Sequence, residues 1–167
     1  MPKIKTLLPA LLLLAATLFS CGYQFSSMAP ITLPRSQTKL YLSRVDNPTQ
    51  QGWLTPYIRS ELRDELIKRG QVKWVGRDEA ETLVRVEVRD FTSSDSLKGE
   101  DDESVKYNAR LTLRVLMSNS RDGEPLWNSG WQTGTETFYT EGEKNSASRK
   151  AVDEALRRAA DGLGQEF

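Results

Sequence analysis

The chain has 167 residues, with 23 Lys plus Arg against 23 Asp plus Glu, no His and a single Cys. That length predicts one compact domain, and zero net charge argues against a general nucleic-acid binder, which carries a clear basic excess. The missing His and lone Cys exclude a His general base, a Cys/His zinc site and an internal disulfide.

The first twenty residues read as a secretion address. Lys3 and Lys5 form a basic leader, and Leu7 to Leu18 (LLPALLLLAATL) is almost wholly apolar. A spanning helix needs about 20 apolar residues, so this shorter run is the core of a signal peptide over residues 1–20. Leu18-Phe19-Ser20-Cys21-Gly22 resembles the lipobox of bacterial lipoproteins, with Leu three before the Cys and small residues beside it. The resemblance implies cleavage before Cys21, which would carry diacylglycerol and an N-acyl chain; the alternative is a secretion signal with an incidental Cys. No cofactor is expected beyond that covalent lipid.

Cleavage removes two lysines and no acid, leaving 21 basic and 23 acidic residues and a mature net charge of −2. One acyl chain is a marginal anchor, whereas two or three hold a protein on a membrane. Gly22, rather than Asp, follows Cys21; by resemblance to lipoprotein sorting rules this implies the outer membrane, with the domain on its periplasmic side.

Residues 21–37 read as the lipidated N-terminus and an extended tether, with Pro30, Pro34 and several Ser. At about 3.1 Å per residue the stretch reaches roughly 50 Å. A single domain is expected over residues 38–167. Residues 38–45 alternate as a strand that Asn47-Pro48 ends. Leu54, Ile58, Leu62 and Leu66 recur every fourth residue, predicting an amphipathic helix closed by Gly70. Thr55 and Pro56 are its expected cap and first residue, unless it opens near Thr49 and kinks at Pro56. Residues 72–75 follow as a short strand.

The clearest strand pattern lies in residues 81–91, where Val84, Val86 and Val88 share one face and Arg85, Glu87 and Arg89 the other. Residues 107–117 repeat it, with Arg110, Thr112 and Arg114 outward. Residues 92–104 between them read as a polar, acidic hairpin loop. Arg121-Asp122-Gly123 predicts a turn, and residues 127–139 a last strand broken at Gly130 and Gly134. Asn145 is the expected cap of a final helix whose stripe is Ala151, Val152, Ala155, Leu156, Ala159 and Leu163. The predicted fold is an α+β two-layer sandwich. It has a mixed or antiparallel sheet of about four to five strands, two helices on one face, and the other face open.

These residues resemble the LPS-assembly lipoprotein family LptE. The resemblance is carried by Cys21-Gly22-Tyr23-Gln24-Phe25, a strand ending near Asn47-Pro48-Thr49, and Trp53-Leu54 opening a helix that closes on Leu66-Ile67-Lys68-Arg69-Gly70. Asp78-Glu79-Ala80-Glu81 before an alternating strand and the Ala-rich final helix agree, although the family more often has Ala-Asp where this chain has Ala80-Glu81. The resemblance implies a non-enzymatic protein that partners the LptD β-barrel, aids its assembly and plugs its lumen. It also implies binding of lipopolysaccharide (LPS) on its way to the outer leaflet. The alternative is a periplasmic lipoprotein regulator of a peptidoglycan synthase.

Arg85, Arg89, Arg110 and Arg114 are the candidate LPS-binding residues, because guanidinium forks match phosphate geometry. Exposed arginines alternating with Glu87 also simply keep a strand face soluble. Trp127 and Trp131, four apart, are expected on one strand face, either in the core, the favoured reading, or facing the barrel. Glu100-Asp101-Asp102-Glu103 lacks the spacing of a calcium loop and reads as a solvated loop. Ser146 and Lys150 have no support as a catalytic dyad, and no metal site is expected.

Overall fold

The computed structural model describes Leu33 and residues 37–70, 72–97 and 106–163. The predicted leader, Cys21, most of the tether and the Glu100-Asp101-Asp102-Glu103 run lie outside the described residues. In chain order the elements are β1 (Lys39–Asp46), α1 (Leu54–Arg69), β2 (Lys73–Trp74), β3 (Thr82–Leu97), β4 (Lys106–Asn119), β5 (Pro125–Asn128), β6 (Gln132–Phe138) and α2 (Lys144–Gly162).

The sheet runs β2-β1-β3-β4-β5, with β6 also paired to β4. β5 takes Leu116 to Ser118 and β6 takes Tyr107 to Leu113, so the two lie in tandem along one edge of β4. Six strands therefore occupy five positions. β1 is parallel to β2 and β3, and the remaining pairs are antiparallel, which makes the sheet mixed.

Both helices cover one sheet face. Leu54, Ile58, Leu62 and Leu66 of α1 are at most 1% exposed. They meet Val84, Val86, Leu111, Leu113 and, from α2 and the residue after it, Val152, Ala155, Leu156, Ala159 and Leu163 in one core cluster, while Ala151 packs in a second, smaller one with Ala109, Phe138 and Ala147. Burying each such side chain is worth about 1.5–3 kcal/mol against leaving it in water, so the every-fourth-residue spacing is what docks α1. Leu33 also joins this cluster. Leu33 lies within the stretch that the sequence assigned to the tether.

α1 begins at Leu54 without a side-chain cap, and Trp53 rather than Thr55 sits at the cap position. Pro56 falls in the first turn, where its missing N–H costs nothing. The chain enters α2 through a short 3₁₀ turn, Glu141–Glu143, with a capping box between Thr140 and Glu143. Asn145 therefore lies inside the helix and does not cap it.

β3 runs six residues past the predicted end at Phe91. Its ladder with β4 continues through Thr92↔Arg110 and Asp95↔Tyr107, polar pairs that carry no apolar alternation. Gly134 does not break β6. It sits under α2, where a Cβ would lie 2.0 Å from the Ala151 carbonyl oxygen and 2.7 Å from the Ala155 nitrogen. The break falls only at Gly130, between β5 and β6.

Candidate functional site

The face of the sheet turned away from the helices carries the four candidate arginines. β1 ends beside β3 in the register Asp46↔Glu87, and β3 faces β4 through Glu87↔Arg114. These pairings bring together charges that are far apart in sequence. Arg85 donates from Nε to Asp46 Oδ2 at 2.6 Å and approaches Glu87 Oε1 at 3.2 Å. Asp46 also pairs with Arg44. Arg114 donates from Nε and Nη2 to Glu87 Oε2, at 2.7 and 2.6 Å. The hydrogen bond that Arg85 donates to Asp46 holds its guanidinium still more firmly in the charged form.

Trp131 lies on this open face, not in the core. The Arg114 guanidinium stands 4.6 Å from its ring centre and that of Arg89 5.7 Å, both within cation–π range. Trp131 is 42% exposed while Trp127 is 6% exposed. Even spacing predicted a shared face, but Gly130 between them has φ +64, a conformation that side-chain-bearing residues rarely adopt. That single residue turns the strand over, and its presence was the available signal.

Arg110 lies farther along the face, in register with Thr92 on one side and Thr135 on the other. Among the described residues neither Arg110 nor Arg89 makes an ion pair. The four arginines therefore share a face but form two kinds of site. Arg85 and Arg114 are held by carboxylates, whereas Arg89 and Arg110 are available to an external anion. Counting Arg44 and Asp90, whose register partner Thr112 also faces outward, the stretch holds five arginines against three carboxylates. Of the residues that define this arrangement, Asp46 was not singled out in the sequence, Glu87 was read only as a solubilising neighbour of the arginines, and Trp131 was expected in the core.

No catalytic constellation is assembled at the Ser146 and Lys150 positions. Ser146 is exposed, and the Lys150 ammonium is engaged by Glu136 at 3.1 Å. Among the described residues no group of acidic side chains is placed to hold a metal ion, and no helix is long and apolar enough to cross a membrane.

A family model described as LptE, lipopolysaccharide-assembly, matches residues 37–166. The chain belongs to the LptE family. Among solved structures it is similar to a minor lipoprotein from Acinetobacter baumannii, with 13% identity, a TM-score of 0.52, and coverage of 81% of this chain and 93% of that one. That likeness shows the shared α+β fold. It is also similar to the PelC dodecamer from Paraburkholderia phytofirmans (14% identity, TM-score 0.49, 79% and 94% covered). A third is lipoprotein B from Nitrosomonas europaea (11% identity, TM-score 0.47, 84% and 85% covered). No curated protein matches the chain in sequence. Membership in the LptE family assigns the chain to lipopolysaccharide assembly and points to a non-enzymatic role. It gives no support to the peptidoglycan-synthase regulator.

Proposed function

We propose that the mature protein is an outer-membrane lipoprotein, acylated at Cys21, that partners an LptD-like β-barrel. In that role it aids the barrel's assembly, fills its lumen and binds LPS during insertion into the outer leaflet. The observation that carries this reading is the LptE family match over residues 37–166. The open sheet face supports it. Barrel lumens are polar, and this face is a lattice of arginines and carboxylates with one exposed Trp, not an apolar patch.

On this reading Arg85, Arg89, Arg110 and Arg114 form the LPS-binding stretch, with the phosphate groups of lipid A as the target. Arg110 meets the anion directly, and Arg114 exchanges its hold on Glu87 for the incoming phosphate. The double variant Arg110→Ala, Arg114→Ala should retain far less LPS in a pull-down while its thermal stability stays close to that of the parent, since exposed ion pairs are worth less than about 1 kcal/mol. Equal retention of LPS would overturn the site. Depletion of the protein should reduce surface LPS, and purification from detergent-solubilised envelopes should bring down a large β-barrel. Intact-mass measurement of the native polypeptide should show residues 1–20 removed and acyl chains on Cys21.

A further inference from the structure

β4 runs unbroken from Lys106 to Asn119, with Ala109, Leu111, Leu113 and Val115 buried. The residues between them, Asn108, Arg110, Thr112 and Arg114, therefore belong to the open face. The bulge at this level lies on the neighbouring strand: Val88 pairs with Leu113 and Asp90 with Thr112, which leaves Arg89 without a register partner. A strand without a bulge advances about 3.4 Å per residue, so the α-carbons of Arg110 and Arg114 stand about 13 Å apart.

The two ends of that span differ. Arg114 is held across the strands, by its register partner Glu87 on one side and the Trp131 ring on the other, not along β4 toward Arg110. Arg89, at the bulge, reaches the same ring, so two guanidinium groups converge at this end. At the other end Arg110 is exposed between Thr92 of β3 and Thr135 of β6, both exposed as well. The middle of the span is Thr112, whose hydroxyl lies 3.1 Å from that of Thr133, and its register partner Asp90. Along β4 the face thus runs from cation, through hydroxyls and one carboxylate, to cation.

We infer, on the footing of the LPS-binding reading, that this face measures its ligand: Arg110 takes one phosphate and the Arg89–Arg114 pair the other phosphate of a diphosphorylated disaccharide lying along β4. Lipid A carries its two phosphates at opposite ends of a glucosamine disaccharide, and a guanidinium fork holds a phosphate bidentately. The hydroxyls of Thr92 and Thr135 add donors at the Arg110 end. Between the phosphates the sugars offer hydroxyl and amide N–H donors, which Asp90 and the threonine hydroxyls accept. A carboxylate in the middle also repels a phosphate that slides off either end, so it fixes the ligand's position along the strand. The two ends act together, because a ligand held at one presents its second phosphate to the other at high effective concentration.

The test uses the mature chain bound to immobilised LPS in detergent, displaced by lipid A bearing both phosphates or by lipid A lacking one. The diphosphorylated form should displace LPS at a roughly tenfold lower concentration. Arg110→Ala should erase that preference, leaving the two forms equal, and Arg89→Ala with Arg114→Ala should erase it from the other end. Arg110→Ala with Asn108→Arg keeps the net charge but lengthens the span to about 20 Å, and should not restore the preference. Lys73→Ala, on β2, should leave it intact. Equal displacement by the two forms of lipid A in the parent, with LPS retained, would overturn the two-phosphate fit while LPS binding stands. Recovery of the preference by the Asn108→Arg variant would overturn it too, because total charge and not spacing would then be recognised. Failure of the parent to retain LPS would overturn both.

Discussion

Arg69, at the end of α1, donates a hydrogen bond across the interhelical seam to the Asp161 carboxylate of α2. Its side chain is only 2% exposed, and Glu65, one turn earlier, accepts a second hydrogen bond from Arg69 Nε at 2.6 Å. Arg157 joins the same group by donating to Asp161 Oδ2 at 3.1 Å. A buried guanidinium survives only with its donors occupied, so this cluster fixes how α1 and α2 sit against each other. Arg69→Met removes one charge and leaves Glu65 and Asp161 facing each other at the seam. Its expected cost is about 3 kcal/mol, read as a lower urea midpoint with an unchanged slope. Asp161→Asn, which keeps an acceptor for Arg69, should cost distinctly less.

Gly134 lays the backbone of β6 directly against that of α2. Its missing Cβ would collide with backbone of Ala151 and Ala155 rather than with a movable side chain, so α2 as a whole must shift to admit one. Gly134→Ala should therefore destabilise by about 3 kcal/mol and lower Tm by roughly 10 °C, well beyond what β-strand propensity for Ala accounts for. Gly130→Ala is the comparison. It meets no atom within 4 Å and is strained only by φ +64, for a cost of about 1 kcal/mol.

These residues show where sequence reading succeeds and fails. The four-residue spacing of Leu54 to Leu66 and the alternation of Val84, Val86 and Val88 were legible because burial on one face dictates residue type at every turn or second position. The far end of β3 was not, since residues 92–97 carry no clear apolar alternation and are joined to β4 by backbone pairing, as at Thr92↔Arg110. Counting by twos placed Trp131 with Trp127 and failed because Gly130 resets the count. The neutralisation of Arg85 by Asp46 depended on parallel register with a strand far away in sequence, interrupted by a bulge between Leu42 and Arg44. Composition alone contains none of that.

The seam between the helices also carries a pH-dependent element. Desolvation pushes the Asp153 carboxyl above its ordinary value, opposed by the hydrogen bond from Tyr57 and the charges of Lys68 and Arg149. Glu61 is raised too, by desolvation and then by Asp153 and Asp64. A carboxyl whose folded value is raised binds its proton more tightly in the folded than in the unfolded state. It therefore favours folding below the ordinary carboxylate range near 4 and opposes folding once pH rises through the raised value. Asp153→Asn keeps an acceptor for the Tyr57 hydroxyl, 3.0 Å from Oδ1, and removes the buried charge. It should stabilise the domain at pH 7 by less than about 1 kcal/mol, the side chain being partly solvated, and the gain should shrink as pH falls toward 4. A gain independent of pH, measured by urea unfolding at several pH values, would contradict this account.

Trp131 supplies the most direct test of the open face. Its ring lies within cation–π range of two guanidinium groups, and such contacts at exposed positions contribute about 0.5–1 kcal/mol. The larger consequence of removing it is geometric. Arg114 is held by both Glu87 and the ring, while Arg89, having no carboxylate among the described residues, is held by the ring alone. Trp131→Ala should lower stability by about 1 kcal/mol yet release Arg89 into solvent, weakening LPS retention more than its effect on folding accounts for. Trp131→Phe keeps a ring for both arginines and should restore most of the retention. Loss of retention by the Phe variant as complete as by the Ala variant would show that the indole itself, rather than the posture of Arg89 and Arg114, is what the ligand meets.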